Sequence, residues 1–577
     1  MVPSVYEDGT LYNVLPSGNK APDETGNHNG YDQTRADFTF SRGFNLAATR
    51  VNANGLIEKG RENLLLVSNS FNSGVWLNDD TTETSGFEGY DGTNDAWKLV
   101  GNTNASRHHI VQSKSEGGVN CWSLYAKASG HNYVQFGSGS TTNQYVNFDL
   151  SDGGIGSVGS DFFSAKTEDI GNGWYRLSVV DKGSTNGFYI SLVSSKTAGW
   201  LESWSMPNST DGIFIQNAQL EKGLVASTYL DSGATTATAG VLENTPRIDY
   251  SSGAGALLLE SQRTNLITNS EYLEDSSWSK ATGGTGSNPV LDFGYTSPEG
   301  VDNAYKVTFD KGAGTTTSDL SVLQTSFTSA SNTASFYVKA DAATRLMVRN
   351  SGTWAIYDIT TEWTRIEKTD TGGSLQIGLR EGYGISDVPD SCTVYLYGVQ
   401  VESGATYGSS YVPTYGSAAT RGADSFSVDS ASAHINSVEG TIYLEAEALH
   451  DDGSYRGVSI NDGTFTNMAQ VRFSNTSNQI TGQYKVGGSN TCLISEVVTD
   501  TTQRQKIAFR YKANDFKMYV NGVDAGSDTS GATNSANTFD EIKSNRGDGS
   551  DVFYGRIYKY ILFDEGLSNS ELESLTS

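Results

Sequence analysis

Oxygen-bearing side chains lie close together in one short, turn-rich stretch of the chain. Glu88, Asp91, Asn94 and Asp95 all fall within residues 88–95. Carboxylate and amide oxygens are the ligands that Ca²⁺ prefers in proteins. A later stretch carries similar side chains: Glu299, Asp302 and Asn303. The spacing is not that of an EF-hand. The sequence therefore predicts a Ca²⁺ site completed by other loops or, alternatively, a solvated acidic turn.

Aromatic residues in glycine-containing loops form a second set of candidates. Residues 197–204 include Trp200 and Trp204, and the corresponding loop of a later repeat carries Tyr383. An aromatic ring offers a flat apolar face, which suits stacking on a sugar ring. We therefore predict glycan contacts at Trp200, Trp204 and Tyr383. In the alternative interpretation these rings cover the end of a domain or a subunit interface.

No catalytic constellation can be recognised in the sequence. Many carboxylates are present, but nothing selects the pair that a glycosidase needs. Neither Gly-x-Ser-x-Gly nor His-Glu-x-x-His occurs, and His108 and His109, as neighbours in a strand, would face opposite ways. Cys121, Cys392 and Cys492 show no CxxC spacing and are predicted to be buried apolar groups. We expect a protein that is not an enzyme.

Charge and composition argue against several classes of partner. The formal net charge is −27, so nucleic acid and anionic membranes would be repelled. No stretch approaches the roughly 18 apolar residues that can cross a bilayer, and the first residues lack the pattern of a secretory signal. Many Gly, Tyr and Phe residues, with only 18 % charged residues, favour short aromatic strands joined by tight turns.

The elements that must position these candidates occur twice along the chain. Five blocks match in order: Asn63-Leu64-Leu65 to Asn69-Ser70 and Trp76 with Asn265-Leu266-Ile267 to Asn269-Ser270 and Trp278, Asn94-Asp95-Ala96-Trp97 with Asp302-Asn303-Ala304-Tyr305, Ser123–Lys127 with Ser335–Lys339, Trp174-Tyr175-Arg176 with Trp363-Thr364-Arg365, and Ala218–Glu221 with Val399–Glu402. Matched blocks in one order indicate two copies of one domain, with insertions between the blocks.

These repeats divide the chain into five regions. We predict an attachment region at 1–60, a first sandwich at 61–231, an ordered connector at 232–261, a second sandwich at 262–415 and a third, different sandwich at 416–577. Short aromatic and β-branched segments bounded by turn residues indicate antiparallel strands. In the first copy they are 123–127, 133–136, 145–150, 174–180, 188–193 and 213–220. The fold class is therefore all-β, with three consecutive antiparallel jelly-roll sandwiches.

The third region ends with three specific signals. Alternating apolar residues flank Asn521-Gly522, which is the strongest two-residue hairpin signal. Residues 555–563 are predicted to form a strand buried on both faces. Ser568 and Glu571 form a capping box that predicts a short terminal helix.

These segments carry a family resemblance. Residues 512–522, 556–563 and 567–572 resemble a concanavalin A-like/laminin G-type jelly roll, and the two copies resemble carbohydrate-binding-module-like sandwiches. The segments before each copy, 38–58 and 245–266, look like segments that recur in tailed-bacteriophage virion proteins, especially fibres. The resemblance covers most of residues 35–577.

The resemblance implies a virion surface protein, a fibre or fibre-like appendage of tail or head, that attaches to host-surface glycans. It implies contacts with other virion proteins through the N-terminal region, a symmetric homo-oligomer such as a trimer, and assembly in the host cytoplasm. Beyond Ca²⁺, no cofactor is expected. Two alternatives stay open: a purely structural decoration or adaptor protein of the virion, and a polysaccharide-degrading enzyme or an accessory module of one.

Overall fold

The computed structural model describes residues 6–7, 10–11, 38–43, 46–139, 142–183 and 185–577, whose regular secondary structure is almost entirely antiparallel β-sheet. The prediction of an all-β chain of consecutive antiparallel sandwiches is confirmed. Short strands open the chain: β1 (Tyr6–Glu7), β2 (Thr10–Leu11), β3 (Thr39–Ser41), β4 (Thr49–Val51), β5 (Ile57–Lys59) and β6 (Arg61–Asn63). No helix among the described residues is long and apolar enough to span a membrane.

The first sandwich follows as two six-stranded sheets. Its strands are β7 (Leu77–Asp79), β8 (Thr81–Phe87), β9 (Ala96–Gly101), β10 (His108–Glu116), β11 (Asn120–Ser129), β12 (Tyr133–Gly137), β13 (Tyr145–Asp149), β14 (Gly154–Val158), β15 (Phe162–Gly171), β16 (Trp174–Asp181), β17 (Thr185–Leu192) and β18 (Gly212–Lys222). The sheet orders are β14-β13-β12-β17-β10-β7 and β15-β16-β11-β18-β9-β8. Phe136, Phe148, Phe188 and Trp122 pack between them.

Three connector strands and the second sandwich come next. They are β19 (Ala237–Ala239), β20 (Ile248–Asp249), β21 (Ala256–Leu259), β22 (Arg263–Asn265), β23 (Ser279–Gly283), β24 (Ser287–Tyr295), β25 (Ala304–Asp310), β26 (Leu320–Ser326), β27 (Asn332–Lys339), β28 (Thr344–Asn350), β29 (Trp354–Ile359), β30 (Thr364–Asp370), β31 (Ser374–Arg380), β32 (Ser391–Ser403) and β33 (Ala419–Arg421). One sheet is β23-β26-β31-β28-β29. The other runs β24-β25-β32-β27-β30, with β22 also paired to β32 and β33 paired to β22.

The two sandwiches share one topology. Ten strands of the first, in the orders β13-β12-β17-β10-β7 and β16-β11-β18-β9-β8, correspond one to one with those of the second. The first sandwich adds β14 and β15, one at the edge of each sheet. From β15, Phe163 reaches the second sandwich, with its ring centre 4.8 Å from those of Tyr272 and Phe293. The insertion in copy one therefore helps to form the interface between the copies.

The third sandwich is a pair of seven-stranded sheets. Its own elements are β34 (Ser425–Val428), a 3₁₀ turn (Ser432–His434), β35 (Glu439–Ala448), β36 (Arg456–Asn461), β37 (Met468–Phe473), β38 (Gln479–Val486), β39 (Ser489–Val497), β40 (Gln505–Lys512), β41 (Phe516–Val520), β42 (Val523–Asp528), β43 (Glu541–Lys543), β44 (Gly555–Phe563) and α1 (Asn569–Thr576). The β41–β42 hairpin turns at Asn521 and Gly522, both with positive φ, and Ser568 and Glu571 form the expected capping box.

Both sheets of the third sandwich are completed by strands from elsewhere in the chain. Strand β3 pairs with β34 at the edge of one sheet, whose order is β3-β34-β43-β36-β37-β38-β39. The hairpin of β20 and β21, from the connector, pairs with β44 at the edge of the other sheet, whose order is β20-β21-β44-β35-β40-β41-β42. Phe40 and Leu257 enter its core. Residues 38–43 and 46–60, within the predicted attachment region, are thus part of the folded body; most of residues 1–37 lie outside the described residues.

A buried ion network links the segments that connect the sandwiches, which we call the joints. Asp424 pairs with Arg42 at 3.2 Å and also with Arg247, and Glu260 pairs with Arg247 at 2.7 Å and Arg421 at 3.0 Å. The arginine side chains are at most 3 % exposed. Burial lowers the pKa of Arg42 to about 10 in spite of Asp424. The network joins the N-terminal strand, the connector and the end of the second sandwich.

Candidate functional site

The hairpin of β4 and β5 carries a lysine into the second sandwich. Lys59 Nζ lies 2.9 Å from Glu271 Oε1 and 2.6 Å from Glu299 Oε1, and it donates to the Tyr415 hydroxyl at 2.8 Å. Glu271 and Glu299 are 1 % and 9 % exposed. Ile57, two residues earlier, packs on Tyr397 and other buried rings. The hairpin that precedes copy one therefore docks on copy two.

The Lys59 ammonium forms ion pairs with two carboxylates, those of Glu271 and Glu299. Burial and the neighbouring Glu271 raise the pKa of Glu299 to about 7, although Lys59 opposes the rise. Burial alone would lower the pKa of Lys59, but the two carboxylates outweigh it and raise that pKa. Lys59 therefore stays charged, and Glu299 is the group that changes its charge near neutral pH.

The predicted Ca²⁺ residues lie at the equivalent position of the first sandwich. There Asp91 and Asp95 replace Glu299 and Asn303, and Gln216 replaces Tyr397. Gln216 Nε2 lies 2.5 Å from Asp95 Oδ1 and 3.3 Å from Asp91 Oδ1, while Thr93 Oγ1 donates to Asp91 Oδ1 at 2.6 Å. Burial opposes ionisation of Asp91, but the bonds from Thr93 and Gln216 outweigh it and lower its pKa.

The structure brings together only half of the predicted ligand set. Asp91 and Asp95 share the donors Thr93 and Gln216, whereas Glu88 and Asn94 are exposed and take no part in these hydrogen bonds. Across the described residues, no three His, Cys, Asp or Glu side chains gather as a metal centre. Oxygen atoms of Asp91 and Asp95 could contact a cation, with Asn69, which bonds Asp95 at 3.1 Å, beside them.

Trp200 lies on the outer face of a sheet of the first sandwich. Its ring centre is 5.4 Å from Tyr189 and 6.3 Å from Tyr145, and the ring is half-buried. It lies so close to Gly137 that a Cβ there would meet the ring at 1.7 Å. Gln135 fixes the loop by donating to Gly199 O at 2.9 Å and accepting from Leu201 N at 2.9 Å.

Trp204 covers one end of the same sandwich. Its indole N–H donates to Leu192 O at 3.0 Å, and its ring centre lies 5.8 Å from His108 and 5.4 Å from His131. His108 contacts Trp204 O through Nε2 at 3.0 Å. Trp204 is therefore held by the sandwich core and does not share a platform with Trp200.

Tyr383 lies on the second sandwich and is 54 % exposed. Its ring centre is 6.4 Å from Trp354, and the Arg380 guanidinium lies 5.0 Å from it. Trp354 begins β29, as Tyr145 begins the equivalent strand β13. Trp200 and Tyr383 therefore occupy corresponding places, each beside the aromatic residue that starts an equivalent strand.

A cavity between the two sandwiches was not predicted. It has a volume of about 870 Å³, and a neighbouring cavity of about 550 Å³ shares part of its lining. Residues common to both include Arg176, Leu224 and Val301. The sequence offers no signal for it because the two walls come from different sandwiches, and only the packing between these domains brings them together.

Comparisons with known proteins give fold-level likeness only. No family model and no curated protein sequence matches the chain. A Streptococcus pneumoniae sialidase is 18 % identical with a TM-score of 0.23, over 26 % of this chain and 26 % of that one. The tandem CBM22 domains of Paenibacillus barcinonensis Xyn10C are 12 % identical with a TM-score of 0.20, over 62 % of this chain and 100 % of theirs.

Domains LG4-5 of the mouse laminin alpha1 chain are 9 % identical with a TM-score of 0.18, over 41 % of this chain and 82 % of that one. Carbohydrate-binding modules and laminin G domains are thus among the structures similar to this chain. Likeness at this level carries no argument about its function.

Proposed function

We propose that this chain is a bacteriophage virion structural protein, a fibre or fibre-like appendage of tail or head, whose sandwiches bind host-surface glycans. The observation that carries the glycan part is the correspondence of Trp200 and Tyr383. Equivalent loops place one partly exposed ring at the same place on each sandwich. Two equivalent weak sites on one rigid body would gain avidity.

The virion part of the proposal rests on the segments that resemble phage proteins. Within them, Arg50 pairs with Glu58 at 2.8 Å across the first hairpin, and Arg247 pairs with Glu260 at the second. The first hairpin, which precedes the first sandwich, docks on the second sandwich. The hairpin of β20 and β21, which precedes the second sandwich, docks on the third. Contacts of this kind between non-adjacent parts of the chain suit an appendage that must keep its shape outside the cell.

The proposal includes three further points. The N-terminal region joins the protein to other virion proteins, the chain forms a symmetric homo-oligomer such as a trimer, and the loop at Asp91 and Asp95 holds Ca²⁺. The protein acts without catalysis. Immunogold labelling of intact particles tests the virion assignment, since labelled tails or heads support it and unlabelled particles contradict it.

A glycan array probed with the full chain tests the binding assignment. We expect the chain to bind host-surface glycans on the array. The double variant Trp200→Ala/Tyr383→Ala should bind them with at least about tenfold lower affinity. Val523→Ala, which is 57 % exposed on the third sandwich, is the control and should bind normally. If no glycan on the array is bound, the purely structural alternative is favoured. If incubation produces new reducing or unsaturated ends in the glycan, the polysaccharide-degrading enzyme is favoured.

A further inference from the structure

Three turns at one end of the third sandwich bring basic and aromatic side chains together. Phe465 follows β36, Lys485 lies near the end of β38, and Arg546 follows β43. Lys485 Nζ and the Arg546 guanidinium each lie 5.1 Å from the centre of the Phe465 ring. Phe465 is nevertheless 41 % exposed. We call these three residues the basic end of the third sandwich.

The Arg546-Gly547-Asp548 turn fixes the position of the arginine. Arg546 Nη2 donates to Asp548 Oδ2 at 2.8 Å, so the pair is satisfied within its own turn. Gly547 has φ of +95°, and a Cβ there would meet Thr464 O at 2.5 Å. Only glycine lets this turn approach the Phe465 turn so closely. The geometry is therefore built by the fold.

The charges at the basic end are not balanced. Arg546 and Arg472 share Asp551, at 3.8 and 3.3 Å, but no ion pair joins Lys485 to a carboxylate in the part of the chain that the structure describes. Burial lowers the pKa of Lys485, and Arg546 and Arg472 lower it further. Asp548 and Asp551 oppose this effect, but they already pair with Arg546 and Arg472, so Lys485 is the cation of this end that lacks a carboxylate partner among the described residues.

Unsatisfied amides lie beside these cations. Gln483 precedes Lys485 by two residues on the same face of β38, and its register partner on β37 is Gln470. Gln470 is 0 % exposed and Gln483 4 %. Both amide atoms of Gln470 and the Oε1 atom of Gln483 have no hydrogen-bond partner among the described residues. Unpaired buried polar atoms are costly and rare, so this part of β37 and β38 is unusual.

We infer that the basic end binds an acidic saccharide, a pyranose that carries a carboxylate or a sulfate. Lys485 supplies a charge-assisted hydrogen bond to the anion, and Phe465, whose ring Arg546 holds in place, offers apolar contact to the sugar ring. A nucleic acid fits less well, because the surrounding chain would repel a polyanion of that charge density. The inference rests on the proposed glycan-binding function and names a ligand class and a third site for it.

Calorimetry with the full chain tests the inference. The probes are an oligosaccharide of alternating glucuronate and N-acetylglucosamine, a sulfated oligosaccharide, and a neutral N-acetylglucosamine oligomer of the same length. We expect at least one acidic probe to bind and the neutral one not to bind. Lys485→Gln should lose about tenfold in affinity, as for one charge-assisted contact, and Phe465→Ala should also bind more weakly. Lys512→Gln is the matched control, since Lys512 is 48 % exposed elsewhere on the same sandwich.

The outcomes separate this inference from the function it rests on. Equal binding of neutral and acidic probes overturns it, as does unchanged affinity in a folded Lys485→Gln variant. Binding of neutral glycans on the array, without binding of either acidic probe, overturns the inference but leaves the proposed function standing. If no glycan of any kind binds, both fail. Preference for the carboxylated or the sulfated probe identifies the anion.

Discussion

Asn63 and Asn265 make the same four hydrogen bonds in the two sandwiches. Asn63 Oδ1 accepts from Leu65 N and Leu220 N, and its Nδ2 donates to Ala218 O and Leu230 O. Asn265 repeats these bonds with Ile267, Val401, Val399 and Val412. Both side chains are 0 % exposed. Each asparagine therefore ties the entry of its sandwich to the last strand.

Replacement of either asparagine by alanine should be costly. Asn63→Ala and Asn265→Ala are each expected to lower the free energy of unfolding by at least about 2 kcal/mol, because unsatisfied buried backbone groups cost roughly 1–3 kcal/mol each. Urea denaturation measures the loss. Asn54→Ala, at an exposed hairpin position, should stay within about 0.5 kcal/mol. Equal stabilities of Asn63→Ala and Asn54→Ala would refute this role.

Stability should depend on pH through Glu299. Its pKa is raised in the folded state from 4.5 to about 7, so the folded chain holds the extra proton between these values. Its contribution is therefore favourable below this window and is lost as pH rises through it. We expect Glu299→Gln to reduce the fall in Tm between pH 5 and pH 8. Lys59 and Tyr397 contact Glu299, and Glu271, which Tyr411 and Tyr415 bond, lies beside it. An unchanged pH profile in the variant contradicts the assignment.

The buried ion network should be sensitive to the loss of one anion. Asp424→Ala leaves Arg42 and Arg247 without their shared carboxylate, and the expected cost is about 3–5 kcal/mol. Asp358→Ala removes an ion pair with Arg345 in which Asp358 is 81 % exposed, and it should cost less than about 1 kcal/mol. Thermal unfolding compares the two. Similar effects would mean that the network does not hold the joints.

Truncation should separate attachment from folding. Removal of residues 1–37 is expected to leave the Tm unchanged and to abolish incorporation into particles. Removal of residues 1–60 also deletes β3, Arg42 and Lys59, so it should lower the Tm and expose joints to proteolysis. Differential scanning fluorimetry and particle assembly assays provide the measurements. Normal incorporation of the shorter truncation would refute attachment through the N-terminal region.

Ca²⁺ binding should belong to the first sandwich alone. In the second sandwich Asn303 stands in place of Asp95, and Glu299, which stands in place of Asp91, already pairs with Lys59. Calorimetry should show one site, lost in Asp91→Ala/Asp95→Ala and retained in Glu88→Ala. EDTA should lower the Tm of the unmodified chain but not of the double variant. Two equal sites, or none, would contradict this assignment.

Short-range patterns were enough to predict the strands and the ending of the chain. The alternation in 507–511 and 516–520, the Asn521-Gly522 turn and the Ser568 capping box encode local conformations that depend on few neighbours. The duplication was also visible, although the match of Asn69-Ser70 with Asn269-Ser270 is shifted by two residues. The indole N–H of Trp76 bonds Val67 O and that of Trp278 bonds Asn269 O, so Val67-Ser68 are the true equivalents.

The sites depended on contacts that no local pattern encodes. The sequence alone determined an all-β, duplicated, acidic chain, because periodicity and composition act residue by residue. Only the tertiary structure decided that Lys59 pairs with Glu271 and Glu299 of the second sandwich, that Trp200 and Trp204 lie apart, and that Lys485 and Arg546 flank Phe465. These arrangements depend on segments that are distant in sequence, and tertiary packing, within a sandwich or between two sandwiches, selects them.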